Sequence, residues 1–232
     1  MTTQTKFMSP KTILRLLVVV FVFPLLPMII SGAWDWWEAW AYAILSAVGF
    51  IVSRELAAQR HPDILEERAR SMELQEAKPW DKILAPMLAL GSLLIFIVAG
   101  LDKLSGWTNP FTLNAKIASV IMILLGYIFS SWALIENKFF SGVVRIQTDR
   151  GHRVVTTGPY RFVRHPGYVG ALWTYLAMPI LFDSTWAFIP TLLLIVVLVL
   201  RTSLEDRTLQ AELPGYKEYA QKTRYRLFPG IW

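Results

Sequence analysis

Six apolar stretches decide what this chain can become. Leu16–Trp34, Trp36–Ser53, Ile83–Leu101, Ala115–Ile135, Gly167–Phe182 and Trp186–Leu200 are built mostly from Leu, Ile, Val, Ala and aromatic residues. About 20 apolar residues carry a helix across a hydrocarbon core of roughly 30 Å. A segment in lipid must satisfy its own backbone polar groups, and runs of this kind do so as helices. The expected fold is all-α, a polytopic transmembrane helical protein of about six spans. Pro24 and Pro27 are expected to kink the first span. The last two spans are short, since about sixteen helical residues rise only about 24 Å. Turned around Asp183-Ser184-Thr185, they either extend with less apolar residues or form a short, sunken hairpin, with the polar ends near a sheltered interface.

The basic residues give the orientation. Of 23 Lys and Arg, only Lys103 and Lys116 fall on one side of a six-span path. The rest collect in the N-terminal tail (Lys6, Lys11, Arg15), the 54–82 and 138–164 connections, and the segment from Arg201 onward. Because cytoplasmic loops carry the excess of Lys and Arg, both termini and any site built from these loops are expected in the cytoplasm. Sorted this way, the net charge of +6 belongs to membrane topology, and nucleic-acid binding is not expected. With no Cys and three His, disulfides, thiolate nucleophiles and a metal site are not expected either. No cleavable signal is expected ahead of the first span. Trp34, Trp36, Trp37, Trp40, Trp80, Trp107 and Trp186 lie near span ends and are expected to be interfacial anchors. The 54–82 connection alternates charge, including Glu66, Glu67, Arg68, Arg70 and Glu73, as a solvated helical excursion would. The chain reads as a single membrane domain, with a four-span scaffold in 1–136 and a loop, hairpin and C-terminal cover in 137–232.

Three polar constellations fall on the cytoplasmic side. The first is Gly158-Pro159-Tyr160-Arg161-Phe162-Val163-Arg164-His165-Pro166-Gly167-Tyr168, which opens the fifth span with Pro166 as its first helical residue. Its glycines permit close backbone approach, and its Arg, His and Tyr offer donors and flat rings. It reads equally as a loop-to-helix entry whose arginines meet lipid phosphates. The second is Arg201-Thr202-Ser203-Leu204-Glu205-Asp206, where Arg201 and Glu205 share a helical face. Charges beside a span are costly unless paired or lining a polar cavity. The third is Gly215-Tyr216-Lys217-Glu218-Tyr219 with Arg226-Leu227-Phe228-Pro229-Gly230, a basic and aromatic segment suited to an interfacial helix covering the cytoplasmic mouth. Topology brings all three to one face.

In this order the constellations resemble the isoprenylcysteine carboxyl methyltransferase family of integral membrane methyltransferases and the related phospholipid methyltransferases, over residues 154–232. The resemblance implies an enzyme, an S-adenosyl-L-methionine-dependent methyltransferase. It implies a cofactor site formed by Gly158, Pro159, Tyr160, Arg164, His165 and Tyr168, with Glu205 and Asp206 accepting hydrogen bonds from the cofactor. It implies that Arg201 faces the methyl acceptor and, with Glu205, carries the catalytic role. The family's acidic pair is usually Glu-Glu, so Asp206 is one methylene shorter. Arg201 can hold a carboxylate with both arms of its fork, and short final spans point to lateral entry from lipid. The expected reaction is carboxyl O-methylation of an amphipathic or isoprenylcysteine-like acceptor, with the lipid bilayer as the surrounding partner. Phospholipid N-methylation and small-thiol S-methylation are the enzymatic alternatives. A transporter or assembly subunit is the non-enzymatic one, although a transporter should hold charge near mid-bilayer and the third and fourth spans have none there. The oligomeric state stays open.

Overall fold

A computed structural model describes residues 10–71 and 75–232. Lys6 and Glu73, used in the charge reading, lie outside them. Among the described residues the secondary structure is helical, with no strand. The first span is α1 (Pro10–Leu17), a wide π turn (Val18–Val22), a 3₁₀ turn (Phe23–Leu25) and α2 (Leu26–Ser31). Pro24 and Pro27 bring no N–H to the ladder, so the helix loosens and then tightens around them. Next come α3 (Trp37–Arg60), α4 (Ile64–Ser71), α5 (Asp81–Ser105) and α6 (Leu113–Glu136). The chain ends with α7 (Pro166–Leu181), α8 (Phe188–Glu212) and α9 (Tyr216–Lys222).

Among the described residues, five helical segments are long and apolar enough to cross a membrane: Ile13–Ser31, α3, α5, α6 and α8. This is an integral membrane protein. Ile44, Ile51, Ile128, Leu192 and Val196 are exposed on their outer faces, as a hydrocarbon surround requires. The fifth expected span, α7, is not among the five, being short at 16 residues. Its partner takes the other course left open, extension with less apolar residues, and the reading of both as a short hairpin needs correction there. α8 runs 25 residues to Glu212, because its apolar part continues as a helix through Arg201, Glu205 and Asp206.

The hairpin is displaced along the bundle axis. Asp183 accepts from the Phe111 backbone N–H (2.7 Å), and Ser184 donates to Asp102 (2.6 Å). The α7–α8 turn therefore reaches the α5–α6 connection at the far end, where buried Lys116 is paired with both Glu38 and Asp183. At the other end α7 starts beside Ser130, whose hydroxyl donates to the Gly167 carbonyl (3.0 Å). Ser130 lies six residues before the end of α6 at Glu136, about 9 Å along the axis. The mouth of α7 is thus sunk below the rim. The α6–α7 interface permits this register because Gly126 and Gly170 face each other. A Cβ on Gly126 would stand 2.6 Å from both the Gly170 carbonyl oxygen and the Thr174 hydroxyl.

At the far end an aromatic core of Trp36, Tyr42, Phe96 and Phe182 stacks edge to face, with ring centroids 5.3–6.1 Å apart. Trp36 is therefore a core residue, buried against Phe182, and not an interfacial anchor. Trp34, Trp37, Trp40, Trp107 and Trp186 are exposed.

Candidate functional site

The three basic stretches meet at the end of the bundle opposite the α5–α6 connection. Arg145, from the 137–165 loop, is buried in a two-armed pair with Glu67 of α4 (3.1 and 2.7 Å). The 54–82 connection is consequently packed at Glu67, not wholly solvated as expected, since a buried guanidinium needs a buried partner. Lys78 pairs with Glu212 at the end of α8 (2.6 Å). His152 lies over Phe139, with Nδ1 accepting from the Gln147 N–H. Burial, then the charges of Arg145 and Arg150, lower its pKa to about 4.

Gly158–Arg161 forms a 3₁₀ turn at the end of α6, opened by Gly158 at φ 58°. A side chain there would be strained, and its Cβ would press on Glu136 Cγ at 2.8 Å. Tyr160 is buried and anchors the loop. Its hydroxyl receives Asn137 (3.1 Å), and its carbonyl receives the Tyr219 hydroxyl of α9 (2.7 Å). Burial raises the Tyr160 phenol, so it stays a neutral group. Pro159 is buried beside it.

Arg164, His165 and Asp206 form one buried hub. Arg164 grips both oxygens of Asp206 (2.7 and 3.0 Å), and His165 Nε2 lies 3.3 Å from Oδ1. Tyr216, Gln210 and Arg226 also donate to the same carboxylate (3.1, 2.8 and 2.9 Å). Asp206 is fully buried, and five side chains fill the lone pairs that a carboxylate offers. The C-terminal segment joins the hub through its backbone. The Arg164 and His165 N–H groups donate to the Tyr225 and Arg226 carbonyls (2.9 and 3.0 Å), and Arg164 Nη1 donates to the Thr223 and Arg224 carbonyls.

The second cluster is a chain of donors. Arg201 Nη1 donates to the Tyr168 hydroxyl (2.5 Å), which donates to Glu205 (2.6 Å). The His165 and Tyr168 rings stack with centroids 5.9 Å apart. Glu205 is half-buried, and this one bond leaves it further acceptor capacity.

Asp81, which the sequence reading missed, holds Arg201 from behind. It is the fully buried first residue of α5 and takes Nε and Nη2 of Arg201 (2.6 and 2.9 Å). It also accepts from the Val144 N–H (2.6 Å), and Nη2 donates to the Gly142 carbonyl (3.0 Å). The two-armed grip on an acceptor expected of Arg201 is therefore not available, because that edge of the fork is occupied. Nη1 is the arm on the Tyr168 side. The only sequence signal for Asp81 was a carboxylate opening an apolar run, which resembles any interfacial charge.

The structure thus brings His165, Tyr168, Arg201, Glu205, Arg164 and Asp206 into two adjoining clusters. Gly158, Pro159 and Tyr160 form the supporting turn. Arg164, Arg201 and Arg226 face Asp81, Glu205 and Asp206, so the charged groups balance. A zwitterionic ligand would meet acceptors at Glu205, flat rings at His165 and Tyr168, and guanidinium donors.

The sequence model of the isoprenylcysteine carboxyl methyltransferase family matches residues 119–211, beginning in α6 and ending before the C-terminal cover. The chain is similar to a probable protein-S-isoprenylcysteine O-methyltransferase of Oryza sativa subsp. indica, 34% identical over 108 residues, covering 44% of this chain and 56% of the relative. It is also similar to protein-S-isoprenylcysteine O-methyltransferase A of Arabidopsis thaliana, 36% identical over 92 residues, 38% of this chain and 43% of the relative. The chain therefore spans about half the length of the curated relatives it matches. Both clusters fall within the matched region except for Asp81, Tyr216 and Arg226.

Proposed function

We propose that the chain, whose residues 119–211 match the isoprenylcysteine carboxyl methyltransferase family model, is a member of that family and a membrane-embedded S-adenosylmethionine-dependent carboxyl methyltransferase. Its acceptor on this reading is amphipathic and isoprenylcysteine-like. The observation that carries this reading is the Asp81–Arg201–Tyr168–Glu205 chain, buried at a sunken helix mouth beside the His165 ring. The site and both termini face the cytoplasm, in keeping with the Lys and Arg sorting.

The residues present suit the cofactor. Glu205 retains acceptor capacity for an ammonium or ribose hydroxyls, the stacked His165 and Tyr168 rings offer flat surface, and donors lie close by. When bound, the cofactor supplies an electrophilic methyl group on a sulfonium. The protein's share is alignment and exclusion of water. Asp81 fixes the Arg201 guanidinium so that Nη1 points toward Tyr168, where it can steady one oxygen of an acceptor carboxylate. Such an acceptor is already ionised, so no general base is needed. Tyr168 joins that arm to Glu205, coupling acceptor and donor positions through one hydroxyl. Asp206, its lone pairs filled from within the protein, acts as a positioning residue that orients Arg164 and His165. The sinking of the α7 mouth, about 9 Å below the end of α6, suits an acceptor arriving sideways from the bilayer.

Purified protein in detergent is expected to bind S-adenosylhomocysteine. Glu205→Ala should lose binding while keeping its thermal midpoint, and Arg201→Ala should keep binding but lose turnover. An absence of binding at millimolar ligand would refute the reading.

A further inference from the structure

Outside both clusters, the same end of the molecule carries an open groove of about 300 Å³ between the 3₁₀ turn and the C-terminal segment. Arg161, Phe162, Lys222, Thr223, Arg224 and Tyr225 line it, and no Asp or Glu does. Arg161, Lys222 and Arg224 are all exposed, and none is among the ion pairs of the described residues. Glu218 lines the adjoining depression that Arg161 and Lys222 also border, so three exposed cations converge beside one carboxylate, and the surplus positive charge favours an anion among them.

The position of the groove limits which anion that is. Phe162 is 57% exposed and lies 6.5 Å, centroid to centroid, from Trp132, itself 41% exposed on α6. Trp132 is one turn from the end of α6, at the level where its apolar face gives way to the rim. Ile231, 82% exposed, lies on the same C-terminal segment. Aromatic and aliphatic side chains beside exposed Lys and Arg are the composition that settles into a head-group layer.

We propose that this groove binds the head group of an anionic phospholipid of the surrounding bilayer. Arg161, Lys222 and Arg224 contact its phosphate and acidic substituent, and the acyl chains lie along Phe162 and Trp132. The site has a route to the interior. The Thr223 and Arg224 carbonyls between its cations accept Arg164 Nη1 (2.8 and 2.7 Å), and the next two carbonyls accept the Arg164 and His165 backbone N–H groups. A lipid clamping residues 222–225 therefore steadies the segment that holds Arg164 and His165. This coupling rests on the cofactor reading above, whereas lipid binding does not.

The test is lipid retention. Protein recovered from nanodiscs of equal phosphatidylcholine and phosphatidylglycerol is delipidated in neutral detergent, and the remaining lipid is counted by native mass spectrometry. Phosphatidylglycerol should be enriched about threefold or more, falling as salt rises. Arg161→Ala/Lys222→Ala/Arg224→Ala should abolish the enrichment, and Lys82→Ala/Arg153→Ala/Arg207→Ala, which removes equal charge elsewhere, should keep it. Arg224→Glu alone serves if the triple variant fails to fold, and it should lose most of the enrichment. Equal loss in both triple variants, or no enrichment in the parent protein, overturns the proposal. So does full displacement by millimolar inorganic phosphate, which would mark a free-anion site. Tighter S-adenosylhomocysteine binding in phosphatidylglycerol discs is the expected sign of coupling, and retention without it would limit the groove to anchoring.

Discussion

Asp81→Ala isolates the contact on which the arrangement of Arg201 depends. Arg201 is 5% exposed and Asp81 0%, and the two share two hydrogen bonds of 2.6 and 2.9 Å. Losing one partner of a buried pair leaves an uncompensated charge, a cost of about 3–5 kcal/mol. The Val144 N–H also loses its acceptor, roughly another 1 kcal/mol or more. At about 2–4 °C per kcal/mol for a chain of this size, the midpoint should fall by roughly 8–24 °C. Intrinsic Trp fluorescence during heating in detergent provides the readout. A double-mutant cycle with Arg201→Ala should show coupling of about 2 kcal/mol, the double variant losing less than the two singles combined. On the proposed function, Asp81→Asn should fold and lower turnover more than S-adenosylhomocysteine affinity, while Asp81→Glu should recover part of the turnover. A midpoint within 2 °C of the parent for Asp81→Ala, or no measurable coupling, would refute the reasoning.

Gly170→Ala should destabilise severely, because its Cβ would stand 2.9 Å from the Ser130 backbone nitrogen and press on the Gly126 carbonyl, whereas Gly49→Ala, with only Tyr127 at 3.5 Å, should be tolerated; thermal midpoints separate them. Lys116→Ala leaves Glu38 and Asp183 buried without their cation and should lower the midpoint by an amount equivalent to about 3–5 kcal/mol, while protein that survives still binds S-adenosylhomocysteine. His152 resists protonation in the fold until about pH 4 but takes up a proton near 6.5 when unfolded. Stability should therefore fall as pH drops from about 6.5 toward 4, and His152→Gln should flatten the upper part of that slope, above the range where aspartates titrate. Tyr168→Phe removes the hydroxyl between Arg201 and Glu205 and should cost turnover about tenfold or more with little change in midpoint.

The helical class, the position of most spans and the convergence of the clusters were legible in the sequence, because hydropathy and charge sorting act on each segment separately. Arg201 and Glu205 could be placed on one face from their spacing, and the topology carried them to His165 and Tyr168. The missing pieces depend on which helix meets which. Asp81 is 120 residues from Arg201, and nothing local in Trp80-Asp81-Lys82 distinguishes a buried partner from an interfacial charge. Lys116 with Glu38 and Asp183, and Arg145 with Glu67, were hidden in the same way. Trp36 sits beside three exposed tryptophans, yet the turn after α2 directs it onto Phe182. The continuation of the last helix through Arg201 and Glu205 was legible in their spacing, but its end at Glu212 was not, because hydropathy marks where lipid contact stops, not where a helix does. Asp206 looked like half of an acidic pair offered to a ligand, and only its three-dimensional partners reveal that its lone pairs are filled.

The most direct measurement incubates the protein in nanodiscs with methyl-labelled S-adenosylmethionine and a farnesylated N-acetylcysteine, then treats the product with alkali. A carboxyl methyl ester should release its label as methanol, and Arg201→Ala should reduce the yield about a hundredfold or more. No incorporation, or label that resists alkali as an N- or S-methyl group does, would contradict the account.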